Sequence, residues 1–348
     1  MAPPPALMDD LIGEILHRLP PDDPACLFRA ALVCKPWRRL LSDDAFLRRY
    51  RAFHRTPPVL GFFHDGHHIF RFVPRFFPVC GASPIPHPDP DCWTVDCRHG
   101  RVLLHSLAKS HLMVWDPIAG DHEEIPLPVN EEDEESELFT AAVICASGGC
   151  SHLDFRRGPY LVVFAGADSD DEGGDVASRG PDLLAGDALY FTIEEGRRIL
   201  KYEYDMVEQE LSVIKAPPVI AGNMALITAE GGGLGAAGVK GYSLHLWSWR
   251  IGPDSVGEWM PGRVIELDMM ISIGIGDPTT KLNVIGFAEG AGSIFVNAND
   301  GIFTVEVKSG TVRKIIGKRG DFSSIFPFMS FYAPDHGSTT LRVSMSME

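Results

Sequence analysis

From about residue 58 onward, short β-forming runs alternate with clusters of Gly, Pro and Asp, and no long amphipathic helix pattern interrupts them. The clearest runs cover residues 101–105, 112–115, 160–164, 188–192, 199–204, 244–249, 282–287, 293–296 and 302–307. Short strands separated by turn residues are typical of all-β folds whose sheets are built from consecutive strands. The pattern therefore predicts a mainly-β domain over residues 59–348.

An imperfect repeat runs through this region, and each copy has a strand, a polar turn and a second short strand. Residues 114–120 lead to 125–128, residues 202–205 lead to 213–218, and residues 305–310 lead to 313–315. A longer version runs from Trp247 to residue 267. The spacing is 46 residues from Leu200 to Leu246 and 57 from Leu246 to Phe303.

Such spacing is typical of four-stranded propeller blades, which take roughly 45 residues each. At that length the region supplies about six blades, so the sequence predicts a β-propeller. An irregular pair of β-sandwiches is the alternative, because short strands with turn signals serve both folds.

The first 50 residues have helical periodicity instead. Apolar residues form two neighbouring rows on one broad face of a first helix: Leu7, Leu11, Ile15 and Leu19 in one row, and Met8, Ile12 and Leu16 in the other. Pro20 ends this helix. Asp22 or Asp23 can cap a second helix, which carries Leu27, and Pro36 fits the first turn of a third. Residues 42–44 offer one more cap before Phe46.

A helical unit this small is marginally stable alone, because little of its surface can be buried internally. Its apolar face must therefore be covered, either by the rest of the chain or by another protein. Periodicity alone does not decide between the two.

The order of the motifs in this region resembles an F-box. Residues 7–20 (LMDDLIGEILHRLP) are similar to the opening helix of that family, and residues 33–43 (VCKPWRRLLSD) are similar to its closing segment. The resemblance covers residues 5–50. The sequence departs from the family at Met8, where a proline usually follows the first leucine.

The resemblance implies binding to a Skp-family adaptor, which in turn holds a cullin–RING ubiquitin ligase. It assigns the adaptor contact to Leu7, Met8, Leu11, Ile12, Ile15, Leu16, Leu19, Pro20, Leu27, Val33, Cys34 and Trp37. Some of these residues must instead form the internal core of the helical unit, and for Trp37 both roles stay open.

The β-rich region also resembles a known family. Residues 96–104, followed by 114–117, are similar to the opening blade of the F-box-associated domains abundant in plants, and residues 301–314 are similar to their last blade. The resemblance implies an F-box at 5–50, a linker at 51–58 and a target-binding propeller at 59–348. The expected function is a substrate-recognition subunit without catalytic activity. An adaptor-binding scaffold with no degradative role and a propeller enzyme with a helical appendage are the alternatives.

Charge and composition limit the partners. Residues 1–55 contain nine Lys/Arg and seven Asp/Glu, whereas the rest of the chain contains 22 and 40. The net charge of −16 therefore belongs to the β-rich region, which would repel the phosphates of nucleic acids. No apolar run reaches the length of a membrane span and no signal peptide opens the sequence, so we expect the nucleus or cytoplasm, with reduced thiols at the seven Cys.

No sequence motif indicates catalysis or a cofactor, and three groups of possible metal ligands are expected to have structural roles. These groups are residues 64–68, Cys92 with Cys97, and Cys145 with Cys150 and His152. Neither cysteine pair has the two-residue spacing usual for zinc. Two acidic clusters, at 131–135 and 168–172, could recognise a basic target but are expected to be solvated loops. The target and the residues that bind it are not predicted.

Overall fold

The computed structural model describes residues 9–68, 71–79, 85–106, 111–127, 139–146, 158–166, 183–186, 188–193, 196–204, 209–217, 224–254, 256–268, 282–317 and 322–331. The chain begins with α1 (Asp9–His17), α2 (Pro24–Val33), α3 (Lys35–Leu41) and α4 (Asp44–His54). In the part of the chain described, no helix is both long and apolar enough to cross a bilayer.

Local capping sets the helix boundaries. The Asp23 carboxylate accepts a hydrogen bond from the Ala25 amide (3.1 Å), and Pro24 occupies the first turn of α2. The Asp43 carboxylate accepts one from the Phe46 amide (3.0 Å) at the start of α4. Three helices were expected, and the cap at Asp43 gives the fourth.

The four α-helices are followed by a series of strands. The strands are β1 (Val59–His68), β2 (Arg71–Pro78), β3 (Cys92–Arg98), β4 (Arg101–Ser106), β5 (His111–Trp115), β6 (His122–Pro126), β7 (Phe139–Cys145), β8 (Tyr160–Gly166), β9 (Leu183–Ala185), β10 (Ala188–Ile193), β11 (Arg198–Tyr204), β12 (Gln209–Lys215), β13 (Met224–Thr228), β14 (Leu234–Lys240), β15 (Ser243–Ile251), β16 (Gly257–Glu266), β17 (Asn283–Ala288), β18 (Ser293–Ala298), β19 (Gly301–Glu306), β20 (Val312–Ile316) and β21 (Phe326–Met329).

These strands form antiparallel sheets, which we name in chain order. Blade A contains β1, β2 and β21; blade B contains β3–β6; sheet C contains β7 and β8; and blades D, E and F contain β9–β12, β13–β16 and β17–β20. Five sheets are thus blades of three or four strands, and sheet C has two strands within the described residues.

The sheets are arranged in a ring. Contacts between inner strands run from β9 to β13, β17 and β21, then to β3 and β7, and Ala142 and Ile144 of β7 pack on Leu189 and Phe191 of blade D. The ring closes because β21 near the C-terminus pairs with β1, so that blade A holds both ends of the domain. The predicted β-propeller is confirmed, and it has five blades where about six were predicted.

The repeat found in the sequence is the hairpin between the third and fourth strands of a blade. In blade B, Asp116 Oδ1 accepts hydrogen bonds from the Ile118 and Ala119 amides, and Gly120 takes φ 81°. In blade F, Gly310 takes φ 75°, and its amide donates to the Glu306 carbonyl (2.8 Å). A positive φ is the reason glycine stands at both positions.

Candidate docking surface and central ion pairs

The first helices bury one of the two apolar rows of α1 and expose the other. Ile12 and Leu16 are buried, together with Leu27, in a core that includes Leu41, Phe46 and Tyr50. Leu11 and Ile15 lie one row away, and their exposed fractions are 47% and 51%. They are four residues apart, so they share one face of the helix.

The remaining predicted contact residues divide in the same way. Leu19 and Trp37 pack partly buried against the helical core. Val33 is 63% exposed at the end of α2, and Pro20 and Cys34 are also exposed. Leu7 and Met8 lie outside the residues whose structure is described. The described structure therefore gives Leu11, Ile15, Val33, Pro20 and Cys34 the accessibility that an interface needs.

Polar contacts hold the helical core in register. The Tyr50 hydroxyl donates a hydrogen bond to the Leu19 carbonyl (2.9 Å), and burial raises the pKa of this hydroxyl well above its usual range. His54 Nε2 lies 2.9 Å from the His17 carbonyl oxygen, and the His17 ring stacks on Phe46 at 4.6 Å between centroids. These contacts tie α1 to α4, so the exposed row of α1 is presented on a closed unit.

A group of charges, of which Arg98 and Asp96 are buried and Glu289 is partly exposed, lies where the inner strands meet. Arg98 Nε contacts the Asp96 carboxylate at 3.1 Å, and Arg98 Nη1 contacts Glu289 Oε1 at 2.7 Å. Asp96 also accepts the Val143 amide (2.9 Å), and Glu289 accepts the Leu184 amide (3.0 Å). Blades B, D and F and sheet C are thus joined through one cation and two carboxylates. Burial raises the pKa of Glu289, and nearby Arg98 lowers it again in part.

Four of the possible metal ligands make other contacts in the described structure. His64 Nδ1 lies 2.8 Å from the Ser324 carbonyl oxygen, and the Asp65 carboxylate accepts hydrogen bonds from the Thr94 amide and hydroxyl. Cys92 and Cys97 belong to an apolar cluster, and burial raises the pKa of the Cys97 thiol well above its usual range. Cys150 and His152, like the clusters at 131–135 and 168–172, lie outside the described residues. Among the described residues, no three His, Cys, Asp or Glu side chains are grouped as a metal site requires.

Comparison with known families identifies both parts of the chain. The family model for the F-box domain matches residues 7–49, and the model described as "F-box protein AT5G49610-like, beta-propeller" matches residues 174–336. The chain is an F-box protein with a C-terminal β-propeller.

Other comparisons returned weaker likenesses. A search of curated proteins found no match. A protein from Lactobacillus plantarum is 8% identical, with 73% of this chain and 80% of that chain covered and a TM-score of 0.40. The WD40 domain of SCAP from fission yeast is 11% identical, with 66% of this chain and 52% of that chain covered and a TM-score of 0.36. The periplasmic gluconolactonase of Pseudomonas aeruginosa is 13% identical, with 75% of this chain and 82% of that chain covered and a TM-score of 0.34. Similarity at this level assigns no function to the chain.

The F-box touches the propeller through the segment after β21. Phe331 is buried in the F-box core, and its ring meets Tyr50 edge to face at 6.1 Å. The Ser330 amide donates to the Pro58 carbonyl (3.3 Å), which fixes the same corner. The contact lies at α4, so it leaves Leu11 and Ile15 of α1 exposed.

Two exposed apolar residues of helices α2 and α4 were missed as candidate contacts. Leu32 is 83% exposed beside Val33, and Phe53 is 60% exposed near the end of α4. Leu32 follows the apolar run of α2, so a search for apolar residues next to a predicted contact would have found it. Phe53 follows the arginine-rich stretch of α4, and no local pattern marks it.

We expect Phe331→Ala to loosen the F-box while the propeller stays folded, because a buried aromatic ring is lost from the core it shares with Tyr50. Hydrogen exchange of the α4 amides should become at least about tenfold faster, which corresponds to about 1.4 kcal/mol. Phe53→Ala is the matched control, since that ring is 60% exposed. Equal exchange in the two variants would show that Phe331 does not hold the F-box.

Proposed function

We propose that this F-box protein is the substrate-recognition subunit of a Skp–cullin–F-box ubiquitin ligase. The observation that supports this most is the exposed apolar row of α1. Leu11 and Ile15 stay accessible to solvent although the other apolar row of α1 packs in the F-box core. The contact between the F-box and the propeller, made through Phe331, does not cover them either. A pair of large aliphatic residues one helical turn apart is the usual anchor of a helix in an apolar groove of a partner.

The buried residues of the predicted contact set have a supporting role in this proposal. Ile12, Leu16 and Leu27 fix the helices against one another, so the exposed row is organised before it meets the adaptor. Val33 extends the accessible apolar surface to the end of α2. The family resemblance and the F-box match support a Skp-type adaptor as the protein that covers this surface.

The chain needs no catalytic group for this function, because ubiquitin transfer belongs to other subunits. Binding the adaptor and a target on one molecule raises the effective concentration of the target beside those subunits. The contact of Phe331 with the F-box limits the orientations that the propeller can take. We place this activity in the nucleus or cytoplasm, where such a complex would meet its targets.

Co-expression with a Skp-family adaptor and a cullin tests the proposal. We expect the full chain to co-purify with both proteins in equal amounts. The turnover of captured targets then separates a degradative receptor from a scaffold, because a scaffold would bind the same subunits without shortening the target's lifetime. Failure to bind any Skp-family adaptor would overturn the assignment.

A further inference from the structure

Among the described residues sheet C has two strands, and the chain segment that follows β8 is shorter than its counterparts in the other blades. In a four-stranded blade, the segment that runs from the second strand to the inner strand of the next sheet contains the third and fourth strands. This segment covers residues 107–138 in blade B, 194–223 in blade D and 299–325 in blade F. In sheet C the corresponding segment is 167–182. Its sequence contains six Asp/Glu, and Val176 is its one large apolar residue. It therefore lacks the alternating apolar residues of a strand pair that could pack between blades.

The apolar face that blade D turns toward sheet C continues out to the rim. Leu189 and Phe191 of β10 are buried against β7. Their cross-strand neighbours on β11, Tyr202 and Leu200, are partly buried in the same cluster. The next residues in this line are Leu211 and Val213 on β12, with exposed fractions of 64% and 47%.

The opposite face of β12 packs against blade E, which has four strands, and is buried. Ile214 follows Val213 along β12 and packs on the side of blade E, where it is 8% exposed. The outer strand of blade E, β16, contacts β12 on this side, where Trp259 Nε1 of β16 donates a hydrogen bond to the Lys215 carbonyl (2.7 Å). The two faces of β12 thus differ in burial because blade E has four strands, whereas sheet C has two among the described residues.

The edge of β8 is open beside this exposed face. In the described part of the chain, β8 pairs with β7 and with no strand on its outer side. Its sequence, YLVVFAG, has no charged residue, and Leu161 is 48% exposed. The outer strands β6 and β20 instead carry exposed charges, which are the usual protection against pairing at an edge.

The start of β8 is held in place from blade B. The Tyr160 hydroxyl donates a hydrogen bond to Glu123, and Arg101 lies over the Tyr160 ring at 4.4 Å from its centroid. Arg101 Nη2 also donates to the Gly158 carbonyl (3.0 Å). The open edge is therefore fixed before any partner arrives, which lowers the entropic cost of binding there.

We propose that an extended segment of a partner protein binds in this opening and adds a strand to β8. We name the opening the β8 slot and define it by the edge of β8 with Leu161, Leu211 and Val213. The proposal deepens the proposed function, since it gives target recognition a place and a ligand class. Main-chain hydrogen bonds to β8 would supply affinity, and alternate side chains of the segment would cover the apolar residues of the slot.

The dimensions and charge of the slot select this occupant. Blades B and D extend two strands beyond the level of β8, or about 10 Å at the usual strand spacing, so β8 is recessed between them. A second folded propeller would have to pass β6 and β12 to reach the edge of β8, whereas an extended chain needs only the room of one strand. Glu123 is exposed on the blade B side, and residues 56–348 hold 40 Asp/Glu against 22 Lys/Arg. The segment should therefore have alternating aliphatic residues between basic ends.

A short fluorescein-labelled peptide of alternating valine and threonine, with lysine at both ends, is the probe. We expect saturable binding to the full-length protein, followed by fluorescence anisotropy, and slower hydrogen exchange of the β8 amides. Two further peptides carry N-methyl groups on alternate backbone amides, one on the odd-numbered and one on the even-numbered residues. One of the two should bind at least about tenfold more weakly than the unmethylated peptide, because strand pairing uses alternate amides. This comparison needs no change in the protein.

Variants of the protein then locate the site. Val213→Arg and Leu161→Arg should weaken peptide binding by about tenfold or more. Val264→Arg is the matched control, because Val264 is also 47% exposed on the outer strand of a four-stranded blade but lies outside the slot. The control adds the same charge, so an equal loss in Val213→Arg and Val264→Arg would mean that only electrostatic repulsion was measured, and the proposal would be overturned.

Other occupants of the slot give different results, and each of them contradicts the proposal. A dimer in light scattering that Leu161→Arg converts to a monomer would mean that a second copy binds there. Tighter peptide binding after replacement of residues 167–182 by a Gly-Ser linker would mean that the chain's own segment fills the slot. Absence of saturable binding would also overturn it. Peptide binding without adaptor binding would leave the slot standing and remove the proposed ligase function.

Discussion

The full-length protein with Leu11→Asp and Ile15→Asp will lose binding to a Skp-family adaptor by about 100-fold or more, while its propeller stays folded. The two side chains are half exposed on one face of α1, so in a complex they would move from water into an apolar groove. A carboxylate at that position would have to be buried without a partner, and hot-spot losses of about 2 kcal/mol or more at each residue account for the expected change. Titration of labelled adaptor measures it.

Stability of the F-box should change little in this double variant. Aspartate at an exposed helical position costs roughly half a kcal/mol in helix propensity, and neither side chain is part of the buried core. The control is Ile251→Asp with Val264→Asp, because these propeller residues are 68% and 47% exposed. That control should bind the adaptor like the unmodified protein. Retained binding in the Leu11 and Ile15 variant would disprove the interface.

The sequence predicted the helical unit well but could not say which row of α1 faces inward. The caps at Asp23 and Asp43 are local features, so composition and spacing were enough to find them. The two rows of α1 are equally apolar, and the choice between them depends on packing against Phe46 and against Phe331, far along the chain. Periodicity therefore identified the apolar face but not its division into core and surface.

The propeller was predictable from its hairpins, but the two-stranded sheet C of the described structure was not. Turn residues such as Asp116 and Gly120 recur where the third and fourth strands of a blade meet, so the repeat is visible locally. A blade number obtained from length assumes equal blades, whereas sheet C has two strands among the described residues. The ion pair between Arg98 and Glu289 joins residues 191 positions apart, and no local pattern connects them.

Replacing Arg98 by leucine will destabilise the propeller by about 3–5 kcal/mol at neutral pH, the usual loss when one partner of a buried ion pair is removed. Only 4% of the Arg98 side chain is exposed, and it neutralises both Asp96 and Glu289. Without the guanidinium, two carboxylates remain close together with backbone amides as their partners. Urea unfolding followed by tryptophan fluorescence measures the change, since Trp115 and Trp247 are buried in the propeller.

The loss should shrink as the pH falls. Burial already raises the pKa of Glu289 in the intact protein, and removal of Arg98, which lowers this pKa, will raise it further. A carboxyl group whose pKa is higher in the folded than in the unfolded state binds its proton more tightly when folded. Its stabilising contribution is complete below the unfolded pKa and is lost as the pH rises through the folded pKa. The difference between Arg98→Leu and the unmodified protein should therefore be largest above the folded pKa of Glu289 and decrease below it.

The double variant Arg98→Leu with Glu289→Gln separates charge from packing. Glutamine keeps an oxygen that can accept the Leu184 amide, but it carries no charge that needs a cation. We expect it to recover part of the stability lost in Arg98→Leu at neutral pH and to remove most of the added pH dependence. If Arg98→Leu instead costs less than about 1 kcal/mol at neutral pH, water must reach these carboxylates freely, as it does for surface ion pairs. The inner strands would then be held together by their apolar contacts alone, and Arg98 would have no special part in joining blades B and F.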